Sequence, residues 1–133
     1  MLFNFQLSTS KEGLIDITAE VTEAIMESGV NEGICIVYCP HTTAAITINE
    51  NADPDVKTDF ISGLDRTFPD LATFLHAEGN SDAHLKSSVV GASELIIVSG
   101  GKPLLGTWQG VYFCEFDGPR NRKFYVKVMG DWK

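Results

Sequence analysis

A series of short runs rich in β-branched and aromatic residues, each closed by Gly, Pro, Asn or Asp, commits most of this chain to strands. FNFQLS (3–8) alternates Phe3, Phe5 and Leu7 with polar neighbours, the period of a half-buried strand. LIDIT (14–18) follows a turn at 11–13 and reads as its hairpin partner. ICIVYC (34–39) and AAITINE (44–50) flank a PHTT corner that holds His41. ELIIVS (94–99) reads as a buried strand. GTWQGVYFCEF (106–116) and RKFYVKVMG (122–130) read as the arms of a long hairpin across DGPRN.

Three segments switch to helical spacing. In TAEVTEAIMESG (18–29), Thr18 is the expected cap, Val21, Ile25 and Met26 the inward face, and Gly29 the stop. Asp53-Pro54 places a capping carboxylate before a proline at the first helical position. Val56, Phe60, Ile61 and Leu64 then form an apolar stripe ending before Pro69, with Lys57 and Asp59 toward water. Gly79-Asn80-Ser81 is a helix-start signal, which makes DAHLKSSVV (82–90) a short helix closed by Gly91. The pattern predicts one α+β domain over 1–133, with about seven or eight largely antiparallel strands and three helices to one side.

Composition narrows the function classes. Of 133 residues, 44% are hydrophobic and 21% charged, and no apolar run approaches the roughly 18 residues of a membrane span. The first residues lack a basic segment followed by a long apolar one, so the chain is expected to be soluble and cytoplasmic. Ten basic residues, dispersed among eighteen acidic ones, give a net charge of −8, which argues against a nucleic-acid partner. A small phosphorylated metabolite stays open if a metal, a helix N-terminus or local basic side chains offset the repulsion. Cys35, Cys39 and Cys114 sit in apolar runs and read as reduced core thiols. Cys35 and Cys39 share a strand face about 13 Å apart, too far to chelate.

Polar residues of catalytic type gather where predicted elements end: PHTTAA, NENADPD, HAEGNSDAH, WQG and EFDGPR. All three histidines, His41, His76 and His84, lie in these places, and His, Asp and Glu supply neutral nitrogen and anionic oxygen ligands to a divalent cation. Structural or surface histidines are the alternative, because His76 and His84 lack the i, i+4 spacing of a helical pair. The helix start at Asp82 could hold a phosphate through a bridging cation, or Asn80 and Asp82 could simply cap it. Gln109 reads as an inward amide needing partners, and Arg120 as a turn residue or an anion fork. No serine stands in a nucleophile-elbow motif.

Taken in order, HTTAAITINENADPDV, HAEGNSDAHLKSSVVG and GKPLLGTWQGVYFCEFDGPR resemble the YjbQ family, also known as UPF0047, over essentially the whole chain. The resemblance implies a compact α+β homotrimer with a polar cleft and a divalent metal, zinc or magnesium. It also implies a secondary thiamine-phosphate synthase activity, in which hydroxymethylpyrimidine diphosphate is joined to thiazole phosphate and diphosphate is released. Carried over by motif, the metal ligands are His41, His76 and His84. The catalytic residues are His84, Arg120 and Glu78. The substrate-binding residues are Thr42, Asn49, Glu50, Asp53, Asn80, Asp82, Gln109, Glu115 and Asp117. Two readings stay open: a transferase, with thiamine-phosphate synthesis as its main or side activity, and a non-catalytic homotrimer that binds a phosphorylated metabolite with the help of a metal.

Overall fold

The computed structural model describes residues 1–131. In chain order its elements are β1 (Leu2–Ser8), β2 (Gly13–Asp16), α1 (Thr18–Ser28), β3 (Gly33–Tyr38), β4 (Ala44–Glu50) and α2 (Pro54–Thr67). They continue with α3 (Ser81–Val90), β5 (Ser93–Ser99), the two-residue β6 (Lys102–Pro103), β7 (Gln109–Glu115) and β8 (Asn121–Gly130). The fold is α+β, as the sequence predicts. A five-stranded sheet has the order β1-β8-β3-β5-β6 and a three-stranded sheet the order β2-β7-β4, with every pairing antiparallel.

The main core lies between the sheets. Val37, Phe124 and Val126 of the large sheet meet Ile46, Val111 and Phe113 of the small one, and α1 adds Val21, Ala24 and Ile25. A second cluster joins Ala45, Cys114 and Phe116, on the other face of the small sheet, to Ala83 of α3 and to Phe60, Ile61 and Leu64 of α2. The middle strand β7 is therefore buried on both faces from Gly110 onward. All three cysteines are buried and unpaired. Burial pushes the Cys35 and Cys39 thiols up to about 11.

Helix ends follow local chemistry. Asp53 caps α2 by accepting a hydrogen bond from the Asp55 N–H at 2.9 Å, and Gly29 closes α1 in the left-handed conformation. Thr18 is the first residue of α1 rather than its cap: Asp16 Oδ1 accepts from the Thr18 N–H, and Thr18 Oγ1 accepts from Val111 N–H. Met26 is 70% exposed, and Ala24 takes the inward position expected of it. Lys57 sits over the Tyr112 ring at 5.6 Å rather than in open water. Strand β5 is buried on one face only, with Leu95 and Ile97 on the open side.

Neither expected hairpin forms. β1 pairs with β8, and β2 pairs with β7, so residues 9–12 cross from one sheet to the other. β7 and β8 also lie in different sheets, and residues 116–120 make the reverse crossing. Alternation specifies which face of a strand is buried but not which strand lies beside it. The two crossings are zipped together: Thr9 N–H donates to Arg120 O at 3.0 Å and Gly118 N–H to Lys11 O at 2.8 Å. A Cβ on Gly118 would stand 1.9 Å from Ser10 O, so only glycine fits that contact.

The corner between β3 and β4 is a third crossing at the same end. Gly13, Glu115 and Ala44 are in register across the small sheet, and Ser8 and Asn121 pair at the matching end of the large one. Three corners therefore meet at one end of the sandwich, and α3 packs beside them: Ser87 Oγ donates to Thr42 O at 2.6 Å.

Candidate functional site

The junction holds a surface cavity of about 450 Å3. The β3–β4 corner supplies Pro40, His41, Thr42 and Thr43, the loop before α3 supplies His76, Glu78 and Asn80, α3 supplies His84, and β8 and its approach supply Arg120 and Arg122.

Beneath it lies a buried ion pair. Glu115 is 0% exposed and accepts from Arg122 Nε at 2.8 Å and Arg122 Nη2 at 2.6 Å, as well as from Thr9 Oγ1 at 2.6 Å and the Asp117 N–H at 3.0 Å. Burial pushes the Glu115 carboxyl up, but these hydrogen bonds, that of Arg122 foremost, outweigh it and hold the group below its ordinary range. Arg122 Nη2 also donates to Thr43 Oγ1 at 2.8 Å. The expected role of Glu115 in touching substrate does not fit its place: with no exposed surface and both oxygens filled, it positions Arg122.

A second network lies at the rim. Asn80, 8% exposed, donates through Nδ2 to Asp117 at 2.6 Å and to Glu78 at 3.0 Å. Arg120 Nη2 donates to the same two carboxylates at 2.8 and 3.2 Å, and its Nε donates to Asp117 O. Burial raises the Asp117 carboxyl, and the bonds from Asn80 and Arg120 more than reverse that. Hydrogen bonding to Asp117 pushes the Arg120 guanidinium up. Because both Asn80 amide hydrogens face carboxylates, its oxygen is fixed on the other side, where Oδ1 is buried without a partner among the described residues.

The histidines behave differently from one another. His76 and His84 meet edge to face with ring centroids 5.3 Å apart, and neither ring has a hydrogen-bond partner among the described residues. His41 stands edge-on to Phe113 and accepts the Lys123 N–H through Nε2 at 3.0 Å. That bond spends the Nε2 lone pair and places the ring proton on Nδ1, so in this position His41 offers no lone pair to a metal. Burial, then the Arg122 charge, hold its pKa down. The expected three-histidine centre is not assembled as placed: no group of three or more His, Cys, Asp or Glu among the described residues is arranged to hold a metal ion.

Other expected site residues are elsewhere. Asp82 turns away to Lys86 at 3.3 Å; Lys86 is 2% exposed and also donates to Asp65 at 2.5 Å and Glu12 at 3.3 Å. Asn49, Glu50, Asp53 and Gln109 gather at the far end of the small sheet, where Glu50 is paired with Gln109, about 20 Å along β4 from Ala44. There Asp53 caps α2, Asn49 Oδ1 accepts from the Glu50 N–H, and the exposed Gln109 accepts from the Gly106 N–H, so Gln109 closes its own turn. Sequence reasoning missed Thr9, Thr43, Arg122 and Lys123. Arg122 carried a signal: it occupies the inward period of β8 with Phe124, Val126 and Val128, and an inward cation requires a buried partner.

The family model described as "UPF0047 protein YjbQ-like" matches residues 3–131. This chain belongs to the YjbQ/UPF0047 family. It is 61% identical to a UPF0047 protein of Methanocaldococcus jannaschii over 132 residues, covering 98% of this chain and 96% of the relative. It is 54% identical to UPF0047 protein YugU of Bacillus subtilis, covering 98% and 100%. A crystal structure of a YjbQ/UPF0047 family protein from Clostridium acetobutylicum superposes with a TM-score of 0.93 at 55% identity, covering 96% and 99% of the two chains. One from Sulfolobus solfataricus, described as of unknown function, gives 0.94 at 31%, covering 98% and 97%. No helix among the described residues is long and apolar enough to cross a membrane.

Proposed function

We propose that the junction binds a phosphorylated small molecule and acts as a transferase of the thiamine-phosphate synthase kind. The observation that carries this reading is Arg120, held by Asp117 and Glu78 at the mouth of a cavity that His41, His76 and His84 also line. In the reaction, the bond from the pyrimidine methylene carbon to the diphosphate oxygen breaks, and diphosphate leaves with the electron pair. The thiazole nitrogen supplies the pair for the new C–N bond. Negative charge grows on the departing oxygens, and donors already fixed in place stabilise it most at that stage. Arg120 is such a donor, His84 contributes a ring N–H, and Glu78 orients Arg120. Asn80 holds Glu78 and Asp117 through its amide hydrogens, in the places from which they orient Arg120. The pair His76 and His84 would meet a divalent ion more readily than His41, and no step is assigned to a metal.

The test is formation of thiamine phosphate from the two precursors with magnesium present. Arg120→Ala and His84→Ala are expected to lower turnover by roughly a hundredfold while changing precursor affinity much less. A rate equal to a metal-only control, with precursor binding retained, would replace this reading by that of a binding protein.

One observation favours self-association under either reading. Leu95 and Ile97 are 63% and 57% exposed on the outer face of the large sheet, beside Ile34 and Met129. A homotrimer would cover that face and shield the sheet edges at β1 and β6.

A further inference from the structure

A second cavity, of about 520 Å3, lies on the large-sheet side of His41, where the end of β1 meets the start of β8. Its polar lining is Gln6, Ser8, His41, Asn121, Arg122 and Lys123. In a chain with a net charge of −8, no carboxylate among the described residues lines it.

The hydrogen-bond network leaves these side chains facing the cavity mainly as donors. His41 Nε2 is spent on the Lys123 N–H, so its remaining ring nitrogen carries a proton. Arg122 points inward from β8 with Nε and Nη2 on Glu115 and Thr43, so it borders the cavity from beneath, while Gln6, Ser8, Asn121 and Lys123 lie on the outward period of β1 and β8. Asn121 Oδ1 accepts from Ser8 Oγ at 3.2 Å, which leaves the Asn121 amide hydrogens free. Lys123 makes no ion pair among the described residues.

We propose that this cavity is a phosphoryl-binding subsite, separate from the Arg120 rim and sharing its His41 corner. A phosphoryl group suits the donor set better than a carboxylate does. It offers three terminal oxygens to donors that approach from both strands and from the corner, whereas a planar carboxylate offers two. The bond from Ser8 fixes the Asn121 amide in advance, so little ordering of that donor is required on binding. The use of this subsite for a second phosphorylated substrate rests on the transferase reading; the subsite itself does not.

Calorimetric titration of the full chain with inorganic phosphate, methyl phosphate and acetate tests it. Phosphate or methyl phosphate should bind with a Kd of about 1 mM or tighter, and acetate at least about tenfold more weakly. Asn121→Asp and Gln6→Glu each place a like charge in the cavity, and Asn121→Asp keeps the acceptor for Ser8. Each should weaken binding about tenfold or more. Tighter binding of methyl phosphate would assign an esterified phosphoryl group, and tighter inorganic phosphate a free anion; either supports the subsite. Unchanged binding in both acidic variants, loss of binding in Arg120→Ala alone, or acetate binding as tightly as phosphate would overturn it. Phosphate binding without thiamine-phosphate formation would leave the subsite standing and remove the transferase. Turnover in a protein whose phosphate binding ignores both acidic variants would do the reverse.

Discussion

Arg122 grips Glu115 through two parallel hydrogen bonds of 2.8 and 2.6 Å in a place where neither side chain is more than 5% exposed, and so ties β8 of the large sheet to β7 of the small one. A fork of this kind is directional as well as strong, and it sets the height of Arg122 below two cavities.

Removing one partner strands a buried charge. Arg122→Ala and Glu115→Ala are each expected to lower stability by about 3–5 kcal/mol, while the double replacement Arg122→Met with Glu115→Leu should cost much less than the sum. Urea denaturation of the three variants measures this. Additive losses would mean that the two residues act independently.

The pH dependence has two parts with one sign. The folded-state pKa of His41 is below its usual 6.5, so folding favours the neutral ring, and stability should fall as pH drops from about 6.5 through that lowered value. Glu115 and Asp117 are also held down, from 4.5 and 3.8, so their contribution is full above those values and is lost as pH falls further through the folded ones. His41→Gln keeps an acceptor for the Lys123 N–H but cannot titrate. Its unfolding midpoint should change less between pH 7 and pH 5 than that of the parent, and equal slopes would remove His41 as the cause.

Much of the fold was legible in the sequence because it is written locally. The β3–β4 corner, the Asp53-Pro54 helix start and the Gly91 stop all depend on residues within one turn of each other. The two hairpins were misread because β1 with β2 and β7 with β8 satisfy every local rule, and only the need to cover both faces of β7 sends the strands to different sheets. The site was legible in part. His41, Thr42, His76, Glu78, Asn80, His84 and Arg120 converge as a group, since their motifs stand at the corners that meet. Asn49, Glu50, Asp53 and Gln109 fall at the far end because a seven-residue strand separates them from that junction. Asp82 is diverted by Lys86, a residue four positions on whose burial no pattern in the sequence announces.

Zinc should distinguish among the imidazoles. His41 has committed Nε2 to a backbone N–H, whereas His76 and His84 face each other with no bonded partner among the described residues. Zinc uptake by the purified chain is therefore expected to be unchanged in His41→Gln and to drop about tenfold or more in His84→Ala. A loss of equal size in His41→Gln would mean that its ring turns away from Lys123 to join the other two.

Assembly is the prediction that the open face of the large sheet makes. Ile34 is in register with Ile97 on one side and with Met129 on the other, and Leu95 lies two residues before Ile97, so four apolar side chains share one exposed face. Loss of such a patch from water is worth about 25 cal/mol per Å2, enough to favour association when the shapes match. The chain, 14.5 kDa, is expected to run at three times that mass by light scattering at micromolar concentration. Ile97→Lys places a charge at the centre of the patch without touching the core, because its side chain points outward while Ile96 and Val98 point inward. That variant should stay folded by circular dichroism and elute as a monomer. If it remains trimeric, the interface lies on another face. If the parent protein is itself a monomer, the apolar face is left without the partner proposed for it.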